Sequence, residues 1–332
     1  MKLIAETAWH HDGDFEFFKN LVIEIVKKTK ADFIKFHLIL DVEEYMHKDH
    51  SAYQWAKERV FSKKEWDEVF RITTENGKKL MLLFNDIESI DFGMQYSPDL
   101  VEIHSVCLSD INLLNHLKAK IKDKTTEIVL GVGGTDLYEV ENAINIINNE
   151  NITLMHGFQN YPTKYTDINF NKIRKIMDMY PLFKHGYADH TAWDNEYNVM
   201  ITIIGASIGM DYIEKHVTTD VGEGRVDWQA AVSFEKFNEI ENKLEILELT
   251  KGDGLLKMNE GEKSYSIYGS MKKCSILKKS VKKGDKFKLS DISFKRTSQN
   301  SDLSLLNIQS RLGHTFSKDL KEGASINSKD LN

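Results

Sequence analysis

The sequence predicts an α/β chain folded as a (β/α)8 (TIM) barrel and followed by a small β-rich domain, and three observations support this. Short β-type runs alternate with longer amphipathic runs along most of the first 250 residues, the pattern of βαβ units around a parallel sheet. There are eight such runs, the number that closes a barrel. The last stretch of the chain loses this alternation and reverses its charge: residues 271–332 carry 14 Lys and Arg against 6 Asp and Glu, a net +8, whereas residues 1–270 carry a net -15.

In chain order, the predicted strands cover residues 3–7, 32–38, 80–85, 100–106, 127–132, 153–158, 183–188 and 212–217. Helices are predicted over residues 14–28, 63–75, 137–147, 169–178, 196–208 and 234–248, where apolar residues recur at three- or four-residue spacing. A doubly wound open sheet is the structural rival. It calls for a glycine-rich phosphate fingerprint after the first strand, and the chain there reads Glu6-Thr7-Ala8-Trp9-His10-His11-Asp12-Gly13. The barrel is therefore preferred. Lys251-Gly252-Asp253-Gly254 and the polar residues after it read as a connection, which divides the chain into a barrel over 1–255, a linker over 256–270 and a terminal domain over 271–332. Within that domain Val281-Lys282-Lys283-Gly284, with Asp291-Ile292 after it, recurs as Leu320-Lys321-Glu322-Gly323 with Asp330-Leu331 at the same interval. This predicts two similar hairpins.

Composition narrows the function classes. With 41% hydrophobic and 29% charged residues, three prolines and 19 glycines, the 332-residue chain lies in the globular range. Cys107 and Cys274 form neither a metal-type pair nor a disulfide framework. The start of the chain reaches Glu6 after three apolar residues, and no run approaches the length of a membrane span. A cytoplasmic protein is the expectation, and the net charge of -7 argues against nucleic acid or a membrane surface as partner.

Barrel active sites are built at the C-terminal ends of strands. Eight of the twelve histidines, His10, His11, His37, His104, His156, His185, His190 and His216, lie within or just past predicted strands and together predict a polar barrel mouth. Imidazole is a common transition-metal ligand, so His190 and His216 on adjacent strands are candidates to share one ion. Lysines are costly to bury unpaired. Side chains alternate between the faces of a strand, so if His216 points inward, Lys215 faces the helices or snorkels, while Lys35 shares an inward face with Phe33 and His37 and can reach an anionic substrate. Glu6, ending the first strand, reads either as a general base or as the structural partner of Lys35.

Ile4-Ala5-Glu6 with His11-Asp12-Gly13, Ala31 to Phe36, His156 through Tyr161-Pro162-Thr163, Asp189-His190-Thr191, Ile213 to Thr218, Asp227 and Phe294-Lys295-Arg296 occur in one order along the chain. In these segments the sequence resembles the N-acetylneuraminate (sialic acid) synthase family, which includes pseudaminic and legionaminic acid synthases. The terminal repeat resembles that family's antifreeze-like SAF domain. The resemblance implies a metal-dependent condensation of phosphoenolpyruvate with an N-acylated hexose that releases phosphate. It implies His190 and His216 as ligands of manganese or magnesium, Glu6 as the base acting on water, and Lys35 as a contact for phosphoenolpyruvate. Gln159, Tyr161 and Asp227 are expected near the sugar. The resemblance also implies a domain-swapped homodimer in which Arg296 enters the barrel mouth of the other subunit.

The sequence departs from the family where hydroxyls and a lysine usually hold the donor's phosphate. It reads Phe84-Asn85-Asp86, Glu102-Ile103-His104-Ser105, Gly131-Val132-Gly133 and Ala188-Asp189-His190. Ser105 alone survives among the hydroxyls, and Glu102 stands in place of the lysine. Weak phosphoenolpyruvate binding or a different donor is expected, and a catalytically silent sugar-binding paralogue is the alternative. Gly131 to Gly134 offers backbone N–H groups as an anion nest that keeps the ordinary reaction open.

Overall fold

The computed structural model describes residues 1–121, 126–157, 160 and 162–332. Eight parallel strands, β1 (Lys2–Glu6), β2 (Phe33–Leu38), β3 (Lys79–Phe84), β4 (Leu100–Ile103), β5 (Glu127–Gly131), β6 (Ile152–His156), β7 (Lys184–Asp189) and β8 (Tyr212–His216), form a closed barrel in sequence order. β8 returns to pair with β1. The intervening helices form where apolar spacing and caps coincide. Phe15–Lys28 buries Phe18, Leu21, Val22 and Ile25 along one stripe, and Asp14 caps it by accepting from the Phe17 N–H. Lys63–Glu75 opens with a reciprocal Ser62–Glu65 capping box and buries Trp66, Val69 and Phe70.

Several segments differ from expectation. β4 stops at Ile103 because Ser105–Cys107 turns into a 3-10 helix. Helices Ile87–Gly93 and Ile111–Lys120 were not predicted, yet each starts at an aspartate cap, Asp86 and Asp110. The first follows closely on the end of β3, and the second on the 3-10 turn after β4. Among the described residues no helix is long and apolar enough to cross a membrane.

The barrel interior is layered by strand parity. Ile4, Phe33, Met81, Leu100, Val129, Met155, Ala188 and Tyr212 form an apolar layer inside it. Further along the same inward faces, toward the strands' C-terminal ends, stand Glu6, Lys35, Glu102 and Glu214, with His216 one step beyond Glu214, all buried. The apolar layer gives this polar group a dry floor.

The chain divides into two compact units, Met1–Gly252 and Asp253–Asn332. The second contains β9 (Cys274–Leu277) paired antiparallel with β10 (Ile292–Lys295) around a core that includes Phe287 and Phe316. The repeated segments are paired reciprocally, with Val281 N–H donating to Leu320 O and Leu320 N–H to Val281 O. Equivalent ion pairs, Lys279 with Asp291 at 3.1 Å and Lys318 with Asp330 at 2.8 Å, close the two halves. Arg296 lies in this unit, where its guanidinium donates to Ser270 O.

Candidate active site

Parallel register brings the mouth together. Glu6 is opposite Lys35 on β2 and His216 on β8, and Ala188 on β7 is opposite Glu214. Lys35 Nζ lies 2.8 Å from Glu102, 3.0 Å from Glu214 and 3.5 Å from Glu6. Lys35, expected to reach an anionic substrate or to pair with Glu6, has its ammonium enclosed by three carboxylates. Gly131 makes room for one of them, since a Cβ there would come within 3.3 Å of Glu102 Oε1 and 2.8 Å of the Ser105 nitrogen. Glu214 was not singled out beforehand, although its place two residues before His216 puts it on the same inward face.

Burying four ionisable groups together is expensive even when they are paired, so the cluster adds little net stability. Its main effect is electrostatic. Burial alone would raise Glu6, but Lys35 and His216 outweigh it and hold its carboxyl well below the usual range. Burial, and then the charge of Glu6, pushes Glu214 well above that range. Glu102 is also raised by burial, against the pull of Lys35. Burial works against the Lys35 ammonium, yet Glu102, Glu214 and Glu6 keep its pKa well above normal. Glu6 is thus the carboxylate of the group whose negative charge is held most strongly. It also bonds His37 Nε2 at 2.7 Å and lies 3.2 Å from His216 Nε2.

His190 and His216 stand edge to face with ring centroids 4.8 Å apart. The donor atoms of Glu6, His190 and His216 all lie within 4.8 Å of one another. Burial, then the neighbouring His216, pushes His190 well below its usual pKa, so it offers a neutral lone pair. Two imidazoles and a carboxylate in a buried pocket suit a divalent transition ion, and these residues fit one. Glu6, expected as a base or as the partner of Lys35, thereby joins the possible ligand set. Behind this pair Lys215 faces the helices, as parity predicts, where its Nζ meets Asp189 at 2.7 Å. Asp189 also accepts from Thr191 Oγ1 at 2.6 Å and Thr202 Oγ1 at 2.5 Å.

The remaining histidines divide. His37 and His104 face one another in the mouth at 5.7 Å. His156 and His185 do not form a joint ligand pair there. They stack, with Nε2 of one 3.1 Å from Nδ1 of the other, and His185 Nε2 also meets Tyr180 O. Ser105 is buried in the turn after β4. Asp227 is partly buried, with a left-handed φ of 60°. Gln159 and Tyr161 lie outside the described residues. His10, buried beside His216, was noted in the sequence without a role. Burial, then His216, lowers its pKa to about 3.

Comparison with known proteins agrees with this geometry. A profile of the NeuB family matches residues 22–255. The chain is 26% identical over 343 residues to the N,N'-diacetyllegionaminic acid synthase of Campylobacter jejuni, covering 98% of each protein. It superposes on the sialic acid synthetase of Leptospira borgpetersenii with a TM-score of 0.70 at 23% identity, over 79% of this chain and 88% of that one. A spore coat polysaccharide biosynthesis protein of Bacillus subtilis matches with a TM-score of 0.65 at 19% identity, over 100% of this chain and 95% of that one.

Proposed function

The chain belongs to the NeuB family, and from that premise we propose that it is a nonulosonic acid synthase, joining phosphoenolpyruvate to an N-acylated hexose with release of phosphate. The observation that carries this reading is the meeting of His190, His216 and Glu6 in one buried mouth of a barrel whose relatives include legionaminic and sialic acid synthases. A divalent cation held by His190 and His216 would supply Lewis acidity toward the aldehyde oxygen of the open-chain sugar. Glu6, ionised and fixed by His37, takes a proton from the water that adds to C2 of the donor, while the donor's methylene carbon bonds the aldehyde carbon; phosphate departs with its bridging oxygen as C2 becomes a ketone, and the two protons of the water end on the former aldehyde oxygen and on the phosphate. Asp227, Gln159 and Tyr161 are assigned to the sugar, and Ser105 to the donor. Arg296 is assigned to the sugar in the barrel mouth of a partner subunit.

A second reading rests on the Lys35 cluster. Three buried carboxylates around one ammonium form a poor receptor for a phosphate, which favours a donor of another kind or a chain that binds sugar without turnover. The decisive experiment incubates the protein with manganese, phosphoenolpyruvate and a panel of N-acylated hexoses. Phosphate release that depends on the sugar supports the synthase. Consumption of pyruvate or another aldol donor without phosphate supports the second reading, and sugar-induced thermal stabilisation without turnover supports a silent paralogue.

A further inference from the structure

His10 follows β1 at the mouth, and only 1% of it is exposed. Its ring meets that of His216 edge-on at 5.4 Å, so His216 has an imidazole neighbour in His10 as well as in His190. His10 Nδ1 lies 2.6 Å from the backbone carbonyl oxygen of Val226, the residue before Asp227. A carbonyl can only accept, so Nδ1 carries the proton, and the neutral ring presents a bare lone pair at Nε2. That Nε2 is buried and has no hydrogen-bond partner among the described residues. An imidazole anchored through one nitrogen to a backbone carbonyl has its other nitrogen oriented for a ligand. His10 is not in the group whose donor atoms all approach within 4.8 Å, so it does not complete a direct four-ligand shell. What its lone pair lacks is a hydrogen.

We propose that His10 Nε2 accepts a hydrogen bond from an O–H group held beside His216. That O–H belongs either to a water on a cation at Glu6, His190 and His216 or to a hydroxyl of the acceptor sugar. The inference rests on the synthase reading for the nature of these two oxygens.

Two amide variants separate this role from simple fastening of the 226 loop. His10→Gln sets an acceptor near the Nε2 position and gives up the Val226 contact. His10→Asn keeps a donor near the Nδ1 position and gives up the acceptor. Titration with manganese alone and then with the N-acylated hexose turned over by the wild type reads the two oxygens separately, with melting curves to verify folding. We expect His10→Asn to weaken one of these steps by about tenfold or more and His10→Gln to stay within about threefold of wild type. Weakened manganese binding assigns the O–H to a water, and unchanged manganese binding with a raised sugar KM assigns it to the sugar. The proposal is overturned if His10→Asn binds both like wild type, or if His10→Gln loses binding while His10→Asn retains it. A wild-type chain that takes up neither manganese nor sugar would overturn the synthase reading and this inference together.

Discussion

Lys215 and Asp189 meet at 2.7 Å with neither side chain exposed to solvent, on the helix-facing side of the neighbouring strands β8 and β7. Each is followed directly by one of the paired imidazoles, His216 and His190. The ion pair therefore fastens together the two strand ends that hold the candidate ligands. Removing one partner leaves a buried charge uncompensated, so Asp189→Ala should cost about 3–5 kcal/mol of stability. The double change Asp189→Asn, Lys215→Met should recover most of that. Denaturant melts of the three proteins measure it, and equal stability of single and double variants would show that the pair does not act as a unit.

Manganese should bind through His190 and His216. Removing both imidazoles should abolish binding, and Glu6→Gln should weaken it without abolishing it, because the carboxylate is shared with His37 and Lys35. Calorimetry on the purified variants checks this. Unchanged metal content in the His190→Ala, His216→Ala protein would place the ion elsewhere.

Glu102 should decide how well an anionic donor is held. With Glu102 2.8 Å from Lys35, the wild type should bind phosphoenolpyruvate weakly. Glu102→Gln should improve affinity by about tenfold, or about 1.4 kcal/mol, by removing one negative charge from the pocket. Titration in the presence of manganese reads both values, and micromolar binding by the wild type would show that the acidic pocket does not repel the phosphate.

Acid should destabilise the protein through His156. Burial, then the neighbouring His185, lowers its pKa from 6.5 to about 3 in the folded state. Between those values the unfolded chain binds the extra proton, so stability rises with pH across the window and is lost as pH falls below about 6.5, at up to roughly 1.4 kcal/mol per pH unit. His156→Asn should flatten this limb of the stability profile. An unchanged slope between pH 6.5 and 4 would assign the acid sensitivity to other groups.

Arg296 should act in a dimer. Mixing an Arg296→Ala chain with a His216→Ala chain should restore part of the activity, because one composite site would then carry both groups intact. No recovery in a dimer shown to exchange subunits would argue that each chain completes its own site.

Much of the fold was legible because a (β/α)8 barrel is written in local periodicity. Alternating β-type and amphipathic runs specify eight strands, and strand parity sets Lys215 on the face opposite His216 and Lys35 on the face shared with His37. Pairing β1 with β8 closes the barrel between residues more than 200 positions apart, and only this closure sets Glu6 beside His216. The same closure determines what surrounds Lys35: its carboxylates come from β1, β4 and β8, and no spacing along the chain announces that Glu102 and Glu214 converge on one ammonium. His10 was equally silent in the sequence, since its significance lies in a carbonyl at Val226 and a ring at His216 that the loop after β1 reaches only once the barrel is closed. Sequence by itself determined which residues share a face of each strand, because that depends on a two-residue period. Tertiary structure decided which of those charges neutralise one another, because burial and distance across the barrel set those energies.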